Sequence, residues 1–312
     1  MWNAEKGNQT AITEVVLVGF GTRLELQPLL FLLFLMVYIV TVSGNLLIVL
    51  LIASDRHLHT PMYFFLANLS CLETCYSTII LPPMLANWFT GERIVALRSC
   101  IAQYFFFGTS AGAETYLLAV MSYDRYLAIC KPLLYASIMH RKLCLQLMVG
   151  TRFDSFLFNI IITYMLAQLD FCGPNVIDHY FCDLIPVEKL SCSDTSVFDV
   201  VLLLFTFVFT VAPFVLTLTS YACIIASILK IPSTTGRQKA FSTCSSHLLV
   251  VCIFYGTIII VYMLPDTPTL RDLNKIFSIF YTVLTPLVNP LIYSLRNKEV
   301  HKALRRVCHK FC

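Results

Sequence analysis

Acids and bases are scarce in this chain, and several stand where they are costly. Glu73, Glu114, Arg152 and Asp154 each interrupt a long apolar run, and Asp124-Arg125 closes another in Met121-Ser122-Tyr123-Asp124-Arg125-Tyr126. An ionisable group within an apolar stretch of membrane-spanning length is expensive, so each reads first as a working part. Glu73 and Glu114 offer two carboxylates. With a sodium ion they would make a hard, oxygen-ligand site; without one they would form a protonated, hydrogen-bonded acid pair. In Asn289-Pro290-Leu291-Ile292-Tyr293 the proline frees a backbone carbonyl and permits a kink, with polar side chains on either side of it. That is either a moving part or a fixed bend. The sequence shows no nucleophile–base constellation, phosphate loop or Cys-x-x-Cys metal site.

The elements that carry these groups follow from composition. Of 312 residues, 58% are hydrophobic and 13% charged, and the mean hydropathy is +0.77. Soluble domains carry about 25% charged residues, so these numbers exclude a disordered chain and speak against a soluble enzyme. The net charge of +4 is too weak to argue for nucleic acid. Seven runs are long enough to cross a bilayer, roughly at 26–53, 60–87, 98–130, 142–166, 198–228, 240–263 and 272–294. After them comes a basic, amphipathic segment in which Val300, Leu304, Val307 and Phe311 recur at helical spacing, as in a helix lying on a membrane surface. The expected division is an N-terminal segment 1–25, a membrane domain 26–296 and a tail 297–312. Only the loop near 168–197 is long, and no internal repeat is visible.

Orientation follows from Lys and Arg. With the N-terminus outside, 14 basic residues fall in cytoplasmic segments and seven in outer ones, which favours N-out and C-in. Residues 1–22 have no apolar core or cleavage site, so the first span is expected to serve as signal and anchor together. Asn8-Gln9-Thr10 is then an outward glycosylation acceptor. Cys100, Cys172, Cys182 and Cys192 fall outside, where disulfides persist, and allow three pairings. The other nine cysteines are expected to be free thiols.

A ligand space is expected in the outer half of the bundle. There the third span reads Tyr104-Phe105-Phe106-Phe107-Gly108-Thr109-Ser110-Ala111-Gly112, with Thr115 a turn further on. Bulky rings followed by small residues leave room for a small apolar molecule. Phe205, Thr206, Phe209, Tyr255, Ile259, Tyr262 and Thr282 are the candidates from other spans.

An ordered set of motifs resembles one family. It comprises Gly44-Asn45, Pro61-Met62-Tyr63-Phe64-Phe65-Leu66, the Asp124-Arg125-Tyr126 stretch, Ser220-Tyr221, and Lys239-Ala240-Phe241-Ser242-Thr243-Cys244. Phe254-Tyr255-Gly256 and Asn289-Pro290 complete it. Over about residues 15–305 the chain resembles a rhodopsin-like G protein-coupled receptor, specifically an odorant receptor. The resemblance implies an all-α membrane protein of the plasma membrane: a seven-transmembrane helix bundle with a short amphipathic C-terminal helix. It implies a small volatile ligand and a heterotrimeric stimulatory G protein that raises cyclic AMP. Arg125, Tyr221, His247, Asn289, Pro290 and Tyr293 would be switch residues, and Arg237 and Lys239 would face the G protein. It implies Cys100–Cys182 and Cys172–Cys192 disulfides, and a sodium site at Glu73 and Glu114.

Two departures narrow the ligand. Phe107 stands where amine-binding members carry an acid, and the seventh span from Ile276 to Ser294 has no Lys for a retinal Schiff base. A same-fold receptor for a non-odorant metabolite is the rival reading; a transporter fits poorly with seven unrepeated spans. Arg152 replaces a tryptophan usual in the family. It either reaches an acid such as Glu73 or is a destabilising departure that the bilayer tolerates, in which case Arg152→Trp would raise surface expression.

Overall fold

In a bilayer every backbone polar group must be satisfied within the protein, and a run of twenty apolar residues does this as a helix. The structure is a computed structural model and describes residues 12–20, 27–172, 174–230, 233–263, 268–296 and 298–311; the side chains of 234–236, 238–243, 246, 268–272, 293–298 and 307–311 lie outside that description. Helices α1 (Gln27–Ser54), α2 (Pro61–Thr90) and α3 (Leu97–Cys130) come first. A short α4 (Pro132–Ile138) leads into α5 (Arg141–Ala167), and α6 (Leu184–Glu188) lies in the long loop. The fifth rod is α7 (Ser196–Thr206) and α8 (Ala212–Leu229), joined by a π-turn at Phe207–Val211. The sixth is α9 (Thr234–Met263). The seventh is α10 (Pro268–Ile279) and α11 (Thr285–Arg296), joined by a π-turn at Phe280–Leu284. The tail is helix α12 (Lys298–Phe311).

Local chemistry sets several of these ends. Pro61 opens α2 and Pro132 opens α4, first-turn positions where a missing N–H costs nothing. Gly91, at φ +75°, ends α2 in the left-handed conformation and returns its N–H to the Asn87 carbonyl. Each π-turn lies just before a proline, Pro213 or Pro286, where the widened turn absorbs the ring.

Among the described residues, Gln27–Ser54, Pro61–Thr90, Arg141–Ala167, Ser196–Leu229 and Leu273–Ile292 are long and apolar enough to cross a membrane, and His247–Met263 is a shorter apolar stretch. The third rod is more polar because it is the hub. It packs on α2, α5 and α8 and buries Glu114, Thr115, Ser122 and Asp124. Leu29, Leu32, Leu33 and Met36 of α1 point outward, as lipid-facing side chains do. The molecule is a helical membrane bundle.

The all-helical expectation misses one small feature. A three-stranded sheet of order β2-β1-β3 caps the end carrying the disulfides. In it β1 (Glu14–Leu17) pairs antiparallel with β2 (Ile94–Ala96), Val15 opposite Val95, and parallel with β3 (Val176–Ile177), Val16 beside Val176. At the other end, α12 buries Val300 and Ala303, and its Arg306 donates to Asp55 Oδ2 at 2.6 and 2.9 Å. Hydrogen bonds from the His57 backbone and ring, with these from Arg306, hold the Asp55 carboxyl well below the usual carboxylate range.

Candidate ligand cavity and switch region

Beneath the disulfide end, α3, α5, α7, α9 and the seventh rod enclose a cavity of about 90 Å³. Tyr104, Phe107, Gly108, Ala111, Gly112 and Thr115 of α3 line it, with Thr206, Phe209 and Tyr262 from other rods, as expected from sequence. Four expected residues lie outside the wall. Tyr255 is fully buried and donates to the Thr115 carbonyl at 2.5 Å, locking α9 to α3. Phe205 stacks behind Phe209 and Phe158 at 5.5 and 5.4 Å. Thr282 is held by Tyr180 at 2.8 Å, and Ile258 lines the wall where Ile259 was expected. Tyr116, Ser155, Phe158, Asn159, Leu184, Leu202, Thr210 and Tyr281 complete the wall. Ser155 and Asn159 were legible as polar residues one helical turn apart in an apolar span; Leu184 carried no signal.

The glycines serve a different purpose from the one expected. A Cβ on Gly108 would sit 2.3 Å from Asn159 Oδ1, and one on Gly112 would sit 2.4 Å from Ser155 Oγ. Their smallness lets α5 approach α3, rather than leaving space for a ligand. Ser155 Oγ donates to the Thr109 carbonyl at 2.7 Å across that contact.

The remaining wall is aromatic and aliphatic with few free polar groups. Thr115 spends its donor, and Asn159 one of its two, within its own helix. Tyr104, Tyr116, Thr206 and Thr210 make no side-chain hydrogen bond with a described residue, so four hydroxyls remain for an occupant. Among the described residues no charged side chain lines the space.

The long loop closes the cavity. Disulfides join Cys100 to Cys182 and Cys172 to Cys192, the pairing implied by the resemblance. Next to Cys182, buried Asp183 accepts from Tyr262 at 2.6 Å, Tyr281 at 3.2 Å and its neighbour's N–H at 2.8 Å. Burial pushes this carboxyl upward, and the three hydrogen bonds oppose the shift. Lys275 donates to Asp178 at 2.5 Å and to the Gly19 carbonyl at 3.0 Å, fastening the loop to the seventh rod and to the segment after β1. Buried His179 stacks on Tyr180 at 4.6 Å; burial, aided by the Lys275 cation, pulls its imidazole down to about 3.

Deeper in the bundle, Glu73 and Glu114 are fully buried. Glu73 accepts from the Asn289 amide. Its other oxygen, both Glu114 oxygens, Ser77 Oγ, Asn45 Oδ1 and Asn289 Oδ1 lack a hydrogen bond of ordinary geometry with any described residue. A set of buried, unsatisfied oxygens fits a hard cation. Arg152 does not reach Glu73. It is exposed on the bundle's outer face and donates to Asn68 Oδ1 at 3.2 Å.

At the other end, Asp124 accepts from Tyr135 of α4 at 2.9 Å, and Arg125 beside it is half-buried. Tyr221 and buried His247 hydrogen-bond, within reach of the Arg125 charge. Tyr126 packs on Tyr123 and on the Tyr221–Ile224–Ile228 cluster. Arg237 is half-buried near the start of α9. Asn8, and the side chains of Lys239 and Tyr293, lie outside the described residues.

A lipid-facing bundle, a capped apolar cavity at one end and an Asp-Arg cluster at the other define a helical-bundle membrane receptor. A sequence profile described as "Olfactory receptor" matches residues 34–310. Olfactory receptor 5AP2 of Mus musculus is 46% identical over 305 residues, covering 97% of this chain and 96% of its own. Olfactory receptor 11L1 of Homo sapiens is 45% identical over 308 residues (99% and 96%), and Olfactory receptor 6B1 of Homo sapiens is 46% identical over 305 (98% and 97%). The chain belongs to the olfactory receptor family, multi-pass proteins of the plasma membrane.

Proposed function

We propose that this receptor binds a small, mostly apolar odorant in the capped cavity and activates a stimulatory, olfactory-type heterotrimeric G protein, raising cyclic AMP. The observation that carries the reading is the wall itself: among the described residues it has aromatic and aliphatic side chains, no charge, and four hydroxyls without partners. Such a wall selects a neutral molecule with one or two polar atoms. The space is smaller than the roughly 150 Å³ that accepts benzene, so larger odorants bind by spreading the wall.

The receptor is not an enzyme; it would promote nucleotide exchange in its partner. Ligand that binds better when the inner end of α9 has swung outward shifts the population to that arrangement. Tyr255 and the Tyr221–His247 bond tie α9 to α3 and α8, and these are the contacts such a swing remakes. Arg125, Arg237 and Lys239 would then face the G protein. The disulfide end is placed outside the cell, with the N-terminus and a glycan on Asn8; the disulfides and the Lys and Arg distribution support this orientation. A sodium ion would be held by Glu73 and Glu114 with Ser77, Asn45 and Asn289, supplying the positive charge that two buried carboxylates need.

The test is a cyclic-AMP screen of transfected cells against a broad odorant panel, with Arg125→Ala in parallel. The expected result is at least one agonist for the native chain and no response from the variant at equal surface level. A full response from Arg125→Ala would refute the coupling role.

A further inference from the structure

Two opposite charges lie halfway along the outward face of α5. Arg152 and Asp154 are both exposed, and Asp154 is about 20 Å along the axis from Arg141 at 1.5 Å per residue. In a bilayer that is the middle of the hydrocarbon, where an unpaired charge is expensive. Two residues apart on a helix, they point about 200° apart and cannot neutralise each other. Arg152 uses one donor on Asn68, leaving most of its five free. Asp154 makes no hydrogen bond or ion pair with any described residue. Within one copy of the chain both charges are left facing lipid.

Their placement is self-complementary. Phe153, 61% exposed, stands between them, with Arg152 about 100° to one side and Asp154 about 100° to the other. Gly150, Phe153, Leu157, Ile160 and Tyr164 repeat along this face in alternating steps of three and four, the spacing of a helix–helix seam. A Cβ added to Gly150 would meet nothing within 4 Å, so a second backbone can come close there. When two identical helices of the same orientation meet across a two-fold axis along the membrane normal, the left flank of each faces the right flank of the other. Phe153 then meets its own copy, and each Arg152 lies beside the opposite Asp154, nearly level with it.

We propose that α5 is the interface of a two-fold symmetric pair of this receptor, held at mid-membrane by two reciprocal Arg152–Asp154 ion pairs. Pairing removes four charges from lipid and satisfies an acid that no described residue of its own chain satisfies.

The test uses two differently tagged full-length copies, co-captured from membranes dissolved in mild detergent, so that the readout does not depend on delivery to the surface. Arg152→Asp places two acids on each copy and Asp154→Arg two bases, so either variant alone meets like charge with like. Co-capture of each with itself should fall about tenfold or more. Mixing the two variants should restore it, because every acid then faces a base, and the double exchange Arg152→Asp/Asp154→Arg should restore it with itself. The proposal is overturned if native copies are not co-captured. It is also overturned if either single variant pairs with itself as well as the native chain, or if the mixture does not recover.

Discussion

Asn45 of α1 donates its amide to the backbone carbonyl of Pro286 at 3.1 Å. That carbonyl lies one helical turn before Pro290, whose ring nitrogen has no hydrogen to return to it. One side chain thus supplies the bond that the proline removes. Gly44, next to it, lets α1 close on the kink, since a Cβ there would lie 3.2 Å from the Pro290 ring.

Asn45→Ala leaves the Pro286 carbonyl buried and unsatisfied. The expected loss is about 1–3 kcal/mol of stability, read as a lower midpoint in thermal unfolding of the purified receptor. An unchanged midpoint would mean that water replaces the amide.

Gly112→Ala should destabilise by about 1–3 kcal/mol through overpacking, because the new methyl meets Ser155 Oγ at 2.4 Å. Adding Ser155→Ala removes the oxygen and should recover much of the loss. If the double variant is no better than the single, the collision lies elsewhere on α5.

Thr206→Val keeps the shape of the wall and deletes a hydroxyl that has no partner among the described residues. Agonists with a carbonyl or hydroxyl group should lose about tenfold in potency, the value of about one hydrogen bond, while pure hydrocarbons keep theirs. Equal losses for both classes would place the polar contact on another residue.

His179 makes the lid sensitive to acid. In the unfolded chain the imidazole titrates near 6.5, and in the packed loop only near 3. Between these values the unfolded state alone takes up the proton. Stability is therefore complete above pH 6.5 and declines as the pH falls, by about 1.4 kcal/mol per unit. Relative to intrinsic amide exchange at each pH, the protection of residues 176–183 should fall by about tenfold between about pH 7.5 and 5.5, and His179→Gln should flatten that change. A lid equally protected at both pH values would contradict the burial argument.

The rods were legible because a bilayer demands long apolar runs, and the structure moves the boundaries little. The sixth begins at Thr234 rather than near 240, since helix can continue past the hydrocarbon. The sheet was not legible: strands of four, three and two residues are too short to show alternation. On α3, Tyr104 through Thr115 were found because rings and small residues follow one another, although the glycines proved to be packing sites. On the seventh rod the expected Thr282 gives way to Tyr281, inside a π-turn whose extra residue rotates the face. Asn159 and Ser155 gave no sequence signal beyond their polarity, since single polar residues are common in a helix that packs on its neighbours.

The pairing of Val16 with Val176 also sets a clock. The strand at Glu14–Leu17 is made first, and its parallel neighbour is made after four rods have been synthesised. At about 5–20 residues per second, on the order of 10–30 s separate the two. Val95 arrives sooner, so a two-stranded ribbon forms early and waits with one edge open. A ribosome stalled before residue 176 should leave that edge open to proteases, and release should protect it. The cap over the cavity is thus among the last parts of the receptor to assemble, although its first strand is among the earliest to be made.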